Sequence, residues 1–396
     1  MGQTIKNVKK HLPALPEDVK TLHLFCGGGG GSFGVEISGL ESTTAIDFDE
    51  TAISIHQKNF PSTKHLRKDI SSMTIEEIQE LGIFHLLLAG PPCPDYSTSG
   101  SRAGIDGSLG RLTFEVTRFA KILRPPFILF ENVPGLLSCN EGQDFLRFVA
   151  SLDEINYSGV SALINGIHYA PQLRNRVYLL AISNEWLELG DKVELDLAKQ
   201  ASWLNKPALS VLAHKFLARQ SSMALEYSTL SLDTFRMCWK YSEYGKKLPS
   251  RNFTTWSKGE LLAMNAKFEN YPLHSKKLLD YLEPGSQGIQ IIHRSQERRL
   301  YVDYAPTLRG YSRGEGKSYN RPGGGHIKVI RSDGSVRSIL AEEGELLTGW
   351  PAGSTATNLD GAKIAQTQRL RILSNAMIPA AIADLCETFV QLLPLS

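Results

Sequence analysis

Cys93 lies in the segment GPPCPDYSTSG (90–100), directly after Leu86, Leu87, Leu88 and Ala89. A short apolar run closed by Gly and Pro predicts a buried parallel strand. Its end would present the cysteine at the carboxyl edge of a sheet, where open α/β sheets keep their ligands. A cysteine alone is more often a small buried hydrophobe than a nucleophile, so its company matters. Glu131 closes the apolar run FILF (127–130). Desolvation there would raise the carboxyl's pKa and suit it to donate a hydrogen bond or a proton. Gln172, Arg174 and Arg176 alternate ahead of a further apolar run, and period-two geometry would set both guanidiniums on one face.

Other elements must hold these groups. Thr21 to Cys26 reads as a short strand, Gly27 to Gly31 as its turn, and a helix is predicted from about Ser32. Phe25 and Phe33 flank the glycines closely, which favours a ligand loop over a linker, with amides free to face a bound molecule. No Gly-Lys-Ser/Thr follows, so this is not a P-loop, while dinucleotide binding stays open on the glycines alone. The next strand (43–46) ends in Asp47-Phe48-Asp49, about twenty residues on, where Rossmann-like folds place an acid for ribose hydroxyls. Spacing leaves open whether Asp47 does this or caps a helix over 50–59. A helix over 114–123 and a strand over 127–130 lead to Glu131. The glycine-rich stretch 97–111 suits a loop that closes over a substrate.

Taken in order, the glycine run LHLFCGGGGGSFG, the Pro-Pro-Cys turn, Glu131-Asn132-Val133, Gln172-x-Arg174-x-Arg176 and SNAMIP (374–379) resemble the cytosine-5 methyltransferase family. The resemblance covers residues 20–185 and about 300–396. It implies an α/β fold, a Rossmann-like S-adenosylmethionine-dependent methyltransferase lobe with a second, smaller, less regular DNA-recognition lobe. It implies Cys93, Glu131, Arg174 and Arg176 as the catalytic set. It places S-adenosylmethionine against Phe25, Gly27, Gly29, Gly31, Asp47, Phe48, Asp69, Ile70, Pro92, Leu112, Asn375 and Ala376. In that scheme Asp47 takes the ribose, Phe48 stacks on adenine and Asp69 receives the adenine amino group. The implied reaction is methylation of carbon 5 of a flipped-out cytosine in double-stranded DNA.

The chain of 396 residues, 42% hydrophobic and 21% charged, has the length and composition of a two-lobed globular protein. Five scattered cysteines without a C-x-x-C spacing argue against a disulfide framework and against a structural zinc site. No apolar run reaches the ~18 residues of a membrane span. The expectation is a cytoplasmic protein, nuclear in a eukaryotic host, acting as a monomer. The net charge of +2 says little, but its distribution is uneven. Residues 236–258 carry six Lys/Arg against one Glu, among Trp239, Tyr241, Tyr244, Phe253 and Trp256, and residues 285–337 carry ten against four acids. Such segments suit a phosphate-contacting face. The expected division is a catalytic lobe (1–185), a target-recognition lobe and hinge (186–359), and a return to the catalytic lobe (360–396).

Several positions depart from the family's pattern. Pro94 stands where Gln is usual, Asp95-Tyr96 where Gly-Phe or Ala-Phe is, His23 where Asp is common, Leu109 where Arg is, Ala170 where Gly is, and Ser374 and Met377 where Gly and Val are. Three other readings compete: a tRNA cytosine-5 methyltransferase on the same lobe, a catalytically silent protein that binds cofactor and DNA, and a nicotinamide dehydrogenase. The joint presence of Cys93, Glu131 and Arg176 argues against the last two.

Overall fold

The computed structural model describes residues 19–92, 110–185, 276–292, 300–308 and 326–390. Cys93, residues 97–109 of the expected lid and the basic stretch 236–258 lie outside the described residues. The chain forms β1 (Thr21–Leu24), α1 (Gly30–Ile37), β2 (Thr44–Asp47), α2 (Glu50–Asn59), β3 (Lys64–Arg67), α3 (Ile75–Gln79) and β4 (Leu86–Ala89). After residue 109 come α4 (Thr113–Leu123), β5 (Phe127–Asn132), α5 (Gly135–Ser138), α6 (Gln143–Glu154), β6 (Tyr157–Asn165), β7 (Gln172–Leu173) and β8 (Asn175–Ser183).

Seven of these strands build one sheet in the order β3-β2-β1-β4-β5-β8-β6. The first five run parallel, and β8 joins antiparallel to both β5 and β6. Every residue of β1, β2, β4 and β5 is buried, as strands covered on both faces require. The order reverses between β1 and β4, so the crevice at their carboxyl ends is the topological switch point. The glycine loop follows β1 there, and Gly90, Pro91 and Pro92 follow β4.

Helices cover both faces. On one, Phe145, Phe148, Val149 and Leu152 form the apolar stripe of α6 and join Val116 and Phe119 of α4 in the main core. On the other, α1 packs against the last helix, α9 (Pro379–Val390). Asp49, not Asp47, caps α2, its side chain accepting from the Ala52 N–H at 3.0 Å. The expected helix over 50–59 therefore forms, and Asp47 is left for another role.

Beyond residue 275 the described chain adds β9 (Ser286–Ile292), β10 (Leu300–Tyr301), β11 (Ala305–Pro306), β12 (His326–Arg331), β13 (Val336–Ser338), α7 (Ala341–Leu347) and α8 (Gln366–Asn375). A four-stranded sheet runs β10-β9-β12-β13, and β11 pairs with β7. Arg337 lies on β13 and ties Glu283 to Glu343 ahead of α7. A second core joins Ile289, Val329, Leu347 and Trp350 to Leu370, Ile372 and Leu373 of α8 and to Ile55 of α2. Packing thus runs across the expected boundary at 359/360.

Candidate active site

The glycine loop is shaped by backbone demands that few other residues meet. Gly27 (φ 53°) and Gly29 (φ 109°) are left-handed, and Phe25 adopts φ 56° beside them, an uncommon conformation for an aromatic residue. A Cβ on Gly29 would strike the Phe60 ring, whereas one on Gly27 would meet nothing within 4 Å. Gly27 therefore borders open space at the switch point. Gly30 and Gly31 are not in the turn, because α1 already starts at Gly30. A Cβ on Gly31 would lie 2.6 Å from His23 Cε1 and 2.7 Å from Leu88 Cδ2, so its missing side chain serves helix-to-sheet packing, not access to a ligand. Its main-chain N–H still belongs to the first turn of α1, whose amides lack intrahelical partners and suit an electronegative group.

Asp47 sits at the end of β2 with both carboxylate oxygens engaged. Oδ2 accepts from the Gly27 N–H at 2.8 Å and Oδ1 from the Asp49 N–H at 2.9 Å. Burial pushes its carboxyl up, against these main-chain donors, which pull it down. Each oxygen keeps a second lone pair for a hydroxyl donor. Phe48, the next residue, is 66% exposed, an aromatic face held open beside the loop. Asp69 is exposed and caps a single turn, accepting from the Ser71 N–H at 2.9 Å. Ile70 is buried, and its carbonyl, with that of Met73, accepts from Arg118 of α4. Leu112 is half-buried at the start of the same helix.

Glu131 lies beside the end of β4. Phe130 pairs with Ala89, and a Cβ on Gly90 would stand 3.6 Å from Glu131 Oε2. The next residue, Asn132, reaches back to the Pro91 carbonyl at 3.4 Å, so the turn leading through half-buried Pro92 toward Cys93 runs along the acid. Arg176 Nε forms an ion pair with Glu131 Oε1 at 2.9 Å, with side chains 11% and 9% exposed. Burial raises the Glu131 carboxyl above its usual range, and Arg176 and Arg174 pull it only part of the way back. An acid so placed favours its protonated form more than an exposed glutamate does.

The two arginines differ. Ladder pairing breaks at Arg174, between β7 and β8. Its guanidinium, 1% exposed, donates through Nη1 to the Ser374 carbonyl at 3.0 Å and through Nη2 to the Ala376 carbonyl at 2.6 Å. Of the two arginines in the expected catalytic set, Arg174 holds main chain and Arg176 is the guanidinium in contact with the acid. The segment Arg174 holds is the return from α8, with Asn375 exposed and Ala376 half-buried. Met377 is wedged between the two halves of the site. A Cβ on Gly30 would come within 2.5 Å of the Met377 carbonyl, and one on Gly90 within 2.5 Å of its Cε. Trp350 Nε1 also donates to that carbonyl at 3.3 Å.

Sequence reasoning missed these supports, and it missed a buried chain of polar groups. His23 Nδ1 is 2.9 Å from Ser32 Oγ, which is 2.8 Å from His56 Nε2, and His56 Nδ1 is 2.8 Å from His65 Nε2. Burial holds His23 down to about 3 and His56 well below its usual range, so these two imidazoles are uncharged at neutral pH, and burial lowers His65 in the same direction. Only the departure from Asp at position 23 signalled it.

A mostly parallel sheet with a glycine loop, an acid and an open aromatic at its switch point defines the Rossmann-like methyltransferase class of fold. Within that class the chain belongs to the C-5 cytosine-specific DNA methylase family, whose model matches residues 19–388. It is 33% identical to the Type II methyltransferase M.FnuDI of Fusobacterium nucleatum over 169 residues, 42% of this chain and 48% of that protein. It is 36% identical to the Type II methyltransferase M2.BsuMI of Bacillus subtilis over 168 residues, 41% of this chain and 42% of that one. The matches thus span less than half the length of these curated relatives. The crystal structure of an E. coli prophage protein described as a DNA modification methyltransferase superposes with a TM-score of 0.55 at 20% identity, covering 95% of this chain and all of that one, which shows the shared fold.

Proposed function

We propose that this protein methylates carbon 5 of a flipped-out cytosine in double-stranded DNA, using S-adenosylmethionine and a covalent Cys93 adduct. The observation that carries the reading is the buried Glu131–Arg176 pair beside the β4 turn that leads to Cys93. Bound at the switch point, S-adenosylmethionine would supply an electrophilic methyl group. The residues fit such a group: open space at Gly27, Asp47 with lone pairs toward it, and the free face of Phe48. Asp69, Ile70, Pro92, Leu112, Asn375 and Ala376 would complete its surroundings.

Carbon 5 of cytosine is a poor nucleophile until the ring is activated. The Cys93 thiolate would add to carbon 6, breaking aromaticity and leaving an enamine at carbon 5. Protonated Glu131 would donate to ring nitrogen 3 as charge develops, and Arg176 would stabilise the exocyclic oxygen. Arg174 would support both by fixing the C-terminal return. Once carbon 5 is methylated, loss of its proton lets the thiolate leave. The base must be extruded from the duplex at a cost of about a few kcal/mol, for which the basic residues between 236 and 337 suit a DNA-gripping lobe. The relatives named above are Type II methyltransferases of bacteria, which supports a cytoplasmic modification enzyme. Among the described residues no helix is long and apolar enough to cross a membrane.

The test uses DNA with 5-fluorocytosine at the target. Fluorine leaves no proton to lose after methylation, so a denaturation-resistant complex should accumulate and map by peptide mass to Cys93. Cys93→Ala should abolish trapping and methylation while sparing S-adenosylmethionine binding, and Cys26→Ala should still trap. Methylation by Cys93→Ala would overturn the mechanism. Activity confined to tRNA would favour the RNA reading.

A further inference from the structure

Asp49 joins three parts of the molecule. Its main-chain N–H donates to Asp47 Oδ1 at 2.9 Å, its Oδ1 accepts from the Ala52 N–H at 3.0 Å, and its Oδ2 forms an ion pair with Arg371 Nη2 at 2.7 Å. Asp47 passes the restraint on through its bond from the Gly27 N–H. Between the two acids lies Phe48, whose ring touches little and depends on its backbone for its aim. Arg371 belongs to α8, the helix that continues into the return held by Arg174. The Asp49 and Arg371 side chains are 19% and 22% exposed, a setting in which an ion pair is screened less than at an open surface. The Ala52 N–H and Arg371 together hold the Asp49 carboxyl below its usual range, although burial pushes it up.

We propose that Arg371 is a positioning residue for the adenosine part of the cofactor. By holding Asp49 it fixes the turn in which the Asp49 N–H orients Asp47 and the backbone aims Phe48. The cofactor would then meet a surface already arranged, without ordering the turn as it binds. Arg371 itself touches no reacting atom. This rests on the reading of Asp47 and Phe48 as cofactor-binding residues, and an ion pair that only fastened α8 would alter melting while leaving affinity alone.

The experiment is calorimetric titration of the full chain with S-adenosylmethionine, together with steady-state kinetics. Arg371→Met should weaken binding by about tenfold through reduced preorganisation and raise KM for the cofactor by the same factor, leaving kcat and KM for DNA in place. Asp49→Asn, which keeps the helix cap, should reproduce the loss, and Arg371→Lys should restore most of it. In Arg371→Met the Asp49 carboxyl moves back toward its ordinary range. Affinity should then fall at a higher pH on acidification than in the wild type. If Arg371→Met and Asp49→Asn lower melting but leave affinity and KM unchanged while Asp47→Ala weakens binding, the positioning role is overturned and the cofactor site stands. If Asp47→Ala and Phe48→Ala are also without effect, the site reading fails and the proposal fails with it.

Discussion

At Glu131 two opposed forces meet, burial against the pull of two guanidiniums, and burial prevails. The sign follows directly: the acid form is present below a raised pKa and is lost as pH climbs through it. We expect kcat/KM to show a falling limb above the ordinary glutamate range. Glu131→Gln, whose amide is a permanent donor, should lower the rate and remove that limb. A limb unchanged in the variant would assign it to another group. Glu131 was legible because its local sequence already specifies its environment: an acid ending an apolar strand is buried wherever that strand goes. Asp47 was legible for a similar reason, with spacing after the glycines standing in for proximity. The His23–Ser32–His56–His65 chain was not, because its members come from β1, α1, α2 and β3 and meet only when the sheet order is set. Arg174 was half legible. Its place ahead of the apolar run could be read, whereas its carbonyl partners lie 200 and 202 positions away.

At the scale of elements, α1 is governed by what it must approach. A Cβ on Gly34 would lie 2.5 Å from both Ile382 Cβ and the Pro379 carbonyl. Alanine would favour the helix by about 1 kcal/mol over glycine, but overpacking against a backbone oxygen costs about 1–3 kcal/mol, so clash outweighs propensity. Gly34→Ala should therefore lower the urea midpoint of unfolding. A variant as stable as the parent would mean that α9 yields easily. Strands β1, β2, β4 and β5 were visible in the sequence as apolar runs ended by Gly, Pro or acid, signals strong at any sheet position. The onset of α1 was misplaced by two residues, because five successive glycines carry no helix signal. Position 30 is a glycine although helical, because the Met377 carbonyl and Trp350 leave no room for a side chain.

Across the whole molecule, the second core is built on α8 and draws Ile55 from the first lobe. The division read from the sequence followed where the family resemblance fades and returns and where basic charge gathers; packing across 359/360 depends on neighbours that neither encodes. The basic stretch 236–258 makes a prediction at this scale. Replacing Arg236, Lys240, Lys246, Lys247, Arg251 or Lys258 should flatten the slope of log affinity against log salt by about 0.9 for each phosphate that the side chain neutralises. Fluorescence titrations of duplex DNA over a salt series would measure it. An unchanged slope after several replacements would leave the stretch as solvated surface.

The backing of the glycine loop by Trp350, Ile372 and Met377 has a consequence in time. On the neighbouring α2, Ser54 accepts from the Leu359 N–H 305 positions later, and a ribosome adding ~5–20 residues per second takes roughly 15–60 s to cover that distance. For that interval the nascent sheet carries a glycine loop with nothing behind it. A polypeptide stopped between Arg176 and α8 holds the acid and the arginines yet lacks the wall that sets them, so the site is completed only once α8 and the return through Met377 have been made.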